Sequence, residues 1–340
     1  MAPFSWLYGL VLHLRHTLYD DHLLPSHSVS VPTVCVGNLA VGGTGKTPHT
    51  EWLVRHLGKH YKLAVLSRGY GRRTHGFILA DHNSTARTIG DEPMQIHRKF
   101  PDVPVAVCAD RVKGVKQLQR MVPDLQLVIL DDALQHRSIK CGFNILLTAQ
   151  NNLYIDDRLL PYGTLRDIKH RSHAAHAVIV TKCPEIFKPI DKRVIDNRLH
   201  LATFQQLYFS KMVYETALES TQKPLVVSGI ANPEEFFEHV KKTCPKAELL
   251  AFGDHHRFTR HDINGIEKAA AKFDLVLTTE KDYERLQLTT LPERLGAKLQ
   301  VVPIHVKIDE THVLEKQLTT YIDEALRNSG KSAKPNYSKA

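Results

Sequence analysis

Residues 31–57 read VPTVCVGNLAVGGTGKTPHTEWLVRHL. An apolar, β-branched run from Val31 to Gly37 leads into a glycine-rich loop, and the loop leads into a segment of helical character. Strand, loop and helix in that order frame a phosphate-binding P-loop, whose strict pattern is GxxxxGK[ST]. Gly45, Lys46 and Thr47 fit the pattern. Ala40 stands at the first glycine position, with Gly42 and Gly43 inside the loop. The chemistry survives this departure. Glycines let successive backbone N–H groups turn inward around a phosphate. Lys46 can reach β- and γ-phosphate oxygens, and the Thr47 hydroxyl can hold Mg²⁺. The helix N-terminus adds its dipole, and Pro48 is tolerated in a first turn whose N–H groups have no intrahelical partner. The expected nucleotide-binding set is Ala40, Val41, Gly42, Gly43, Thr44, Gly45, Lys46 and Thr47.

A P-loop working with Mg²⁺ needs an acid at the end of a neighbouring strand. LQLVILDDALQH supplies Asp131 and Asp132 directly after an apolar run. Paired carboxylates there can hold Mg²⁺, directly or through water. Three further segments carry suitable chemistry. LAVLSRGYGRRT sets Arg68 and Tyr70 just after a strand, where ligands collect in open α/β sheets. GDEPMQIHRKF places Asp91 and Glu92 at the start of a helix, where one could act as a base toward a hydroxyl. FGDHHRFT puts Asp254, His255 and His256 after a later strand. By residue type alone, each of these is also an ordinary helix-start acid or surface cation.

Outward from the P-loop, short β-branched runs alternate with amphipathic segments. Strands are expected at 31–37, 63–67, 104–108, 125–130, 144–148, 176–181, 225–228, 247–252 and 274–278. The runs are nearly continuous rather than alternating, as in strands covered on both faces. The class is therefore α/β: a mostly parallel, P-loop NTPase-like sheet domain with a second, smaller α/β domain. Residues 206–214 and 299–308 are partly polar and flank a segment with its own β-α-β-α-β pattern. They are read as a two-stranded linker. The expected organisation is an N-terminal helical region (1–30), a P-loop domain (31–205), linker strands (206–216 and 299–308), a small domain (217–298), a C-terminal helix (309–327) and a disordered tail (328–340). Asn232-Pro233-Glu234-Glu235 reads as a helix start with an asparagine cap, and Thr259-x-x-Asp262 as a capping box.

The chain has 340 residues, enough for two domains at roughly 100–200 residues each. Its net charge of +9 favours anionic partners without choosing among phosphate, nucleic acid and membrane. The basic residues are spread widely, with no Lys/Arg-dense helix interleaved with aromatics, which speaks against nucleic acid. Five cysteines, none in a CxxC pair, read as reduced thiols rather than as a disulfide framework or zinc site.

Residues 4–19 read FSWLYGLVLHLRHTLY, with the nearly apolar part too short to span a bilayer. On a helical wheel Phe4, Leu7, Val11, Leu14 and Leu18 share a stripe, with Ser5, His13, His16 and Asp20 opposite. Taken alone, the pattern favours a helix packing that stripe on its own domain over one lying on a membrane.

Together, VGNLAVGGTGKTP, LSRGYGR, GDEP, ADR (109–111), LDDALQH, LLPYGTLRD, SGIANPEEF, FGDHHRFT and TTEKD resemble the tetraacyldisaccharide 4'-kinase family, the lipid A 4'-kinases of Gram-negative bacteria. The stretches run in order over residues 32–283. The family usually has Gly where Ala133 stands. The resemblance implies transfer of the ATP γ-phosphoryl group to the 4'-hydroxyl of a tetraacylated glucosamine disaccharide 1-phosphate, giving lipid IVA. It implies ATP and Mg²⁺ as cofactors, and a peripheral protein held at the cytoplasmic face of the inner membrane by residues 4–19; a monomer is expected. It implies that Lys46 and Thr47 serve phosphate and Mg²⁺, that Asp91 works with His255, and that Asp132, with Asp131, serves Mg²⁺. His136 belongs to the matching LDDxxQH segment. Arg68, Tyr70, Glu92, His136 and Arg166 are implied as further contacts to lipid or nucleotide.

Two other readings compete. A P-loop ATPase switch or partitioning protein would need a basic partner-binding element, and none stands out. A scaffold with a vestigial nucleotide site would show a damaged lysine or acid set, yet Lys46, Thr47, Asp91, Asp131 and Asp132 are all present.

Overall fold

A computed structural model describes residues 2–330; the part of the expected tail from 331 onward lies outside them. Thirteen strands form two sheets among the described residues. The first runs β1 (Thr33–Asn38), β2 (Leu63–Ser67), β3 (Ile78–Leu79), β4 (Val105–Val107), β5 (Leu127–Asp131), β6 (Phe143–Ala149), β7 (Ala177–Thr181) and β8 (Gln206–Tyr214). The second holds β9 (Pro224–Ser228), β10 (Glu248–Ala251), β11 (Leu275–Thr279) and β12 (Leu299–Val302); β13 (Ile304–Ile308) returns to the first.

The first sheet is ordered β13-β8-β7-β6-β1-β5-β2-β4-β3, and the second β10-β9-β11-β12. All pairings are parallel except those of the two edge strands, β3 with β4 and β13 with β8. β1 lies at the centre, between β5 and β6, so the loops after β1, β2 and β5 meet at one sheet end. All six β1 residues are buried, as a strand covered on both faces must be. One cover is the helix Thr311–Asn328, whose Leu314, Leu318, Ile322 and Leu326 recur every four residues and are all 0% exposed. At roughly 1.5–3 kcal/mol for each such side chain, this stripe fixes the C-terminal helix against the sheet. The helix Lys46–Leu57 covers the same face with Trp52, Leu53 and Leu57.

Residues 299–308 do not form one strand. Pro303 has no N–H to donate, so the run divides there. β12 pairs with β11 in the small sheet, and β13 pairs antiparallel with β8. β8 also pairs parallel with β7, so the ribbon crossing between the sheets is continuous with the large one. The two-residue β3 carries too little pattern to be read from sequence. Thr259 and Asp262 do form a capping box. Asn232 does not cap its helix: its side-chain oxygen turns instead to accept from Lys182 Nζ at 3.2 Å.

The N-terminal helix Ala2–Asp20 reverses the packing that its stripe suggested. Its polar side docks. Ser5 Oγ donates to Leu159 O at 3.0 Å, Tyr8 Oη donates to Arg166 O at 2.8 Å, and His16 Nε2 lies 2.6 Å from Asp167 Oδ1. Phe4, Trp6, Leu7, Leu10, Val11 and Leu14 face outward, Trp6 being 76% exposed. Leu12, 8% exposed, is buried with the polar side, so polar partners and one leucine outside the stripe hold the covered face. No helix among the described residues is long and apolar enough to cross a membrane.

Candidate active site

The loop after β1 and the helix Lys46–Leu57 form one wall of a cavity of about 460 Å³ between the two sheets. Asn38, the last residue of β1, organises this wall. Its Nδ2 donates to Thr44 Oγ1 at 2.8 Å, and its Oδ1 accepts from Lys46 Nζ at 3.3 Å and from Arg166 Nη2 at 2.6 Å. The loop is tied from below by Thr181, whose hydroxyl donates to Thr44 O at 2.9 Å. Gly45 has φ of +86°, a left-handed turn that suits glycine and starts the helix. His49, one turn on, bridges Gly45 O (2.7 Å) and Ser210 Oγ (2.9 Å), joining the loop to β8. Burial pulls its imidazole down to about 4, so it is neutral there.

The expected nucleotide residues Val41 to Thr47 line the cavity. Ala40 does not; it bridges to Leu165 beside it. Arg68, Tyr70, Glu92, Asp132, Arg166 and His255 line the same space. His136, Asp131 and Asp91 stand outside the lining. Burial, then the Arg111 and Arg68 charges, lower His136 to about 4.

The paired acids differ. Asp131 is buried beneath the loop, accepting from Thr50 Oγ1 and Ser67 Oγ, each at 3.1 Å. Burial, and then the charges of Glu92 and Asp132, push it up to about 6. Asp132 faces the cavity in a two-point contact with Arg166. Burial works against its charge, but Lys46 and Arg166 more than offset this and hold it below the ordinary carboxylate range. For Mg²⁺ the donor set fits. The Thr47 hydroxyl and two carboxylates are hard oxygen ligands, the kind Mg²⁺ takes alongside phosphate oxygens and water.

Across the cavity, Asp91 and His255 meet. They are 164 residues apart in sequence, yet His255 Nδ1 lies 3.0 Å from Asp91 Oδ2. Gly90 begins the helix Asp91–Lys99, and His255 follows β10 with φ of +56°. Lys281 Nζ stands 3.3 Å from His255 Nε2 and 3.0 Å from Glu92 Oε1. An ammonium only donates, so Nε2 must accept; the proton then sits on Nδ1 and is donated to Asp91. Arg285 Nε adds a contact to Asp91 Oδ2 at 3.5 Å. Burial would raise Asp91, but the His255 hydrogen bond and the Lys281 and Arg285 charges hold it at about 2.

Lys281 and Arg285 lie on the helix Glu280–Leu286, which meets the helix Asp91–Lys99 again through Arg98 with Glu284 (2.6 Å) and Lys99 with Glu280 (2.9 Å). Lys281, Arg285 and Asn38 are site residues that residue-type reasoning did not single out. Lys281 lies inside the quoted TTEKD stretch and Asn38 inside VGNLAVGGTGKTP, so motif membership was the available signal for both. Arg285 had none.

A parallel sheet with a lysine-bearing loop at its centre, acids on the neighbouring strand and a facing dyad defines a P-loop phosphotransferase of the NTPase-like class. The chain belongs to the tetraacyldisaccharide-1-P 4'-kinase family, which matches over residues 1–323. A tetraacyldisaccharide 4'-kinase from Bacteroides thetaiotaomicron is 42% identical, covering 99% of this chain and 96% of that protein. One of the same name from Flavobacterium johnsoniae is 41% identical, covering 96% and 97%. The crystal structure of the "apo" form of LpxK from Aquifex aeolicus in complex with ATP superimposes with a TM-score of 0.73 at 26% identity, covering 94% of this chain and 98% of that one.

Proposed function

We propose that the protein transfers the γ-phosphoryl group of ATP to the 4'-hydroxyl of a tetraacylated glucosamine disaccharide 1-phosphate, forming lipid IVA. The observation that carries this reading is the Asp91–His255 pair, whose histidine lines the P-loop cavity while Asp91 stands just behind it. A hydrolase would need only water there; a dyad poised on two different domains suits an acceptor hydroxyl.

In the transfer, the 4'-oxygen forms a bond to the γ-phosphorus, the bond from that phosphorus to the β,γ-bridging oxygen breaks, and ADP leaves. The hydroxyl proton passes to the dyad. Asp91 is a carboxylate at any working pH; its Oδ1 accepts from Glu92 N at 3.1 Å and keeps a second lone pair for the hydroxyl. His255 orients it, and Lys281 fixes the His255 tautomer. Lys46 and Arg166 meet the charge that builds on the phosphoryl oxygens. Mg²⁺, when bound, would be held by Thr47 and Asp132, with Asp131 beneath the loop reaching it through water, and would offset phosphate charge. Arg68, Tyr70 and Glu92 face the transfer space, while His136 and Ala40 support it from outside. Contact between domains at the dyad excludes water and limits wasteful ATP hydrolysis.

The outward apolar stripe of residues 4–14 supports peripheral attachment at the cytoplasmic face of the inner membrane, where the acyl chains of the acceptor lie. The protein is read as a monomer that uses no nucleic acid.

The test is a transfer assay with γ-labelled ATP, Mg²⁺ and the tetraacyl disaccharide 1-phosphate in detergent micelles. Label in a bis-phosphorylated lipid, absent without Mg²⁺, is the expected result. ATP hydrolysis with unlabelled lipid would remove the acceptor assignment and favour the ATPase-switch reading.

A further inference from the structure

A second cavity, of about 850 Å³, shares Tyr70 and His255 with the first and has Asp91 in its wall. Its size lies within the roughly 300–1,000 Å³ of small-molecule sites. Five arginines line it: Arg73, Arg87, Arg257, Arg260 and Arg285. Of these, Arg285 is committed. It touches Asp91 and donates from Nη1 to Gly229 O at 3.0 Å. The side chains of the other four make no hydrogen bond or ion pair among the described residues. The one acid lining the cavity is Asp91, whose charge His255 and Arg285 already meet.

The arrangement is built rather than incidental. Arg73 N donates to Arg87 O at 2.9 Å, and Thr74 Oγ1 donates to Thr88 O at 2.5 Å, so the loop carrying Arg73 is pinned to the helical turn Ala86–Ile89 that carries Arg87. In the second domain, Arg257 and Arg260 flank Thr259 and the buried Phe258, Arg260 being the first helical residue inside the Thr259–Asp262 capping box. The helix Arg260–Ala270 starts there, and its N-terminal dipole has the same sign as the arginines. Elsewhere along the interdomain face, Arg98, Lys99 and Lys281 are each matched by a glutamate. Four unmatched guanidinium groups around one concavity repel one another unless an anion sits among them. Their planar forks match phosphate oxygens.

We infer that this cavity is a second anion site, separate from the P-loop, which takes a phosphate monoester through Arg73, Arg87, Arg257 and Arg260. The inference rests on the proposed phosphotransfer in one respect: a sugar whose hydroxyl reaches Asp91 has the rest of its headgroup in or beside this cavity. The phosphate is therefore either the acceptor's own anomeric phosphate or a free phosphate anion.

Two double variants test it, Arg257→Ala with Arg260→Ala, and Arg73→Ala with Arg87→Ala. All four side chains are exposed at the surface, so the fold should persist, and melting temperature checks that it does. If the phosphate is the acceptor's, KM for the 1-phosphorylated acceptor rises tenfold or more. KM for the same disaccharide with a free 1-hydroxyl, and KM for ATP, stay unchanged, and lysine versions recover part of the loss. If the anion is free phosphate, acceptor KM holds. Inorganic phosphate titrated calorimetrically into wild type saturated with a non-hydrolysable ATP analogue then gives binding that both variants lose. Unchanged KM values together with identical phosphate titrations in wild type and variants would overturn the inference. Failure of the phosphotransfer reading looks different: wild type labels neither acceptor, yet its phosphate binding still depends on the arginines.

Discussion

Lys46 is anchored to Asn38, its Nζ 3.3 Å from the amide oxygen that Arg166 also reaches at 2.6 Å. The strand that launches the P-loop thus also aims its lysine. Hydrogen bonds to charged groups are worth about 1.5–3 kcal/mol each. Asn38→Ala removes the acceptor shared by two cations and the donor that holds Thr44. KM for ATP should rise at least about tenfold, at roughly 1.4 kcal/mol per decade, with far-UV circular dichroism unchanged. An unaltered KM would show that Lys46 finds its position without Asn38.

What was legible from sequence divides by range. Buried strands announce themselves within a few residues, because a run such as LVILD has no polar face to hide. The P-loop is equally local. The ribbon was misjudged at one residue, Pro303, whose missing N–H outweighs the apolar run around it. The N-terminal helix was read correctly as a helix, but its wheel could not show that Asp167 and the Leu159 and Arg166 carbonyls wait under its polar side. Arg285 and Lys281 matter only because the fold carries β11 and the helix after it against Gly90–Glu92. Nothing in the local sequence encodes that approach.

The dyad has an acid signature. Asp91 titrates at about 2 when folded, against an ordinary value near 4, so its charge stabilises the fold above that ordinary value. The contribution, of order 2 kcal/mol, is lost as pH falls from about 4 to about 2. In Asp91→Asn the carboxylate is absent. The stability gap between wild type and variant, measured by denaturant unfolding, should therefore be widest above pH 4 and close toward pH 2. Turnover of the variant should fall by about 10²–10⁴ at neutral pH. A gap that is flat with pH would mean that Asp91 gains nothing from its partners.

Asp131 behaves in the opposite sense. Its folded value, about 6, lies above the ordinary one, so the unfolded chain ionises first. Between pH 4 and 6 rising pH then works against the fold, and that cost is complete above about 6. Asp131→Asn removes it, while the Thr50 and Ser67 hydroxyls can still pair with the amide, since each both donates and accepts. The variant should melt at or above wild type at pH 8 and lose that advantage near pH 4. Its turnover should drop for want of a negative charge beside the loop. A variant less stable at pH 8 would mean that the carboxylate is better compensated than its surroundings indicate.

Gly90 sets the position of Asp91. Its φ is +98°, and a methyl group there would lie 2.9 Å from Tyr70 O. Gly71 also has a positive φ, +74°, but open space around it. Both Gly→Ala changes carry backbone strain, and that of Gly90, whose ψ of 157° puts it in a region essentially reserved for glycine, is about 1–3 kcal/mol. Only Gly90→Ala must also push the Tyr70 backbone or the start of the Asp91 helix. Gly71→Ala should cost stability with little loss of kcat. Gly90→Ala should cost at least as much stability and lower kcat tenfold or more. Equal kcat in the two variants would separate the dyad from this close approach.

The N-terminal helix makes the last prediction. Trp6, Leu10 and Leu14 are 76%, 54% and 60% exposed, whereas Ser5, Tyr8 and His16 hold the helix to the protein. Replacing the outward three by serine removes apolar area that covers nothing in the fold, so the melting temperature should hardly move. It also removes area that could enter the acyl boundary of a bilayer, at about 25 cal/mol per Å². Sedimentation with phosphatidylglycerol/phosphatidylethanolamine vesicles should fall by tenfold or more. Transfer to acceptor presented in vesicles should fall with it, and transfer to a short-chain soluble acceptor should not. Replacing Tyr8 with Phe should do the reverse, lowering stability through the lost bond to Arg166 O while vesicle binding persists. If the serine triple variant instead melts early and still sediments with vesicles, the outward stripe serves the fold and another surface meets the lipid.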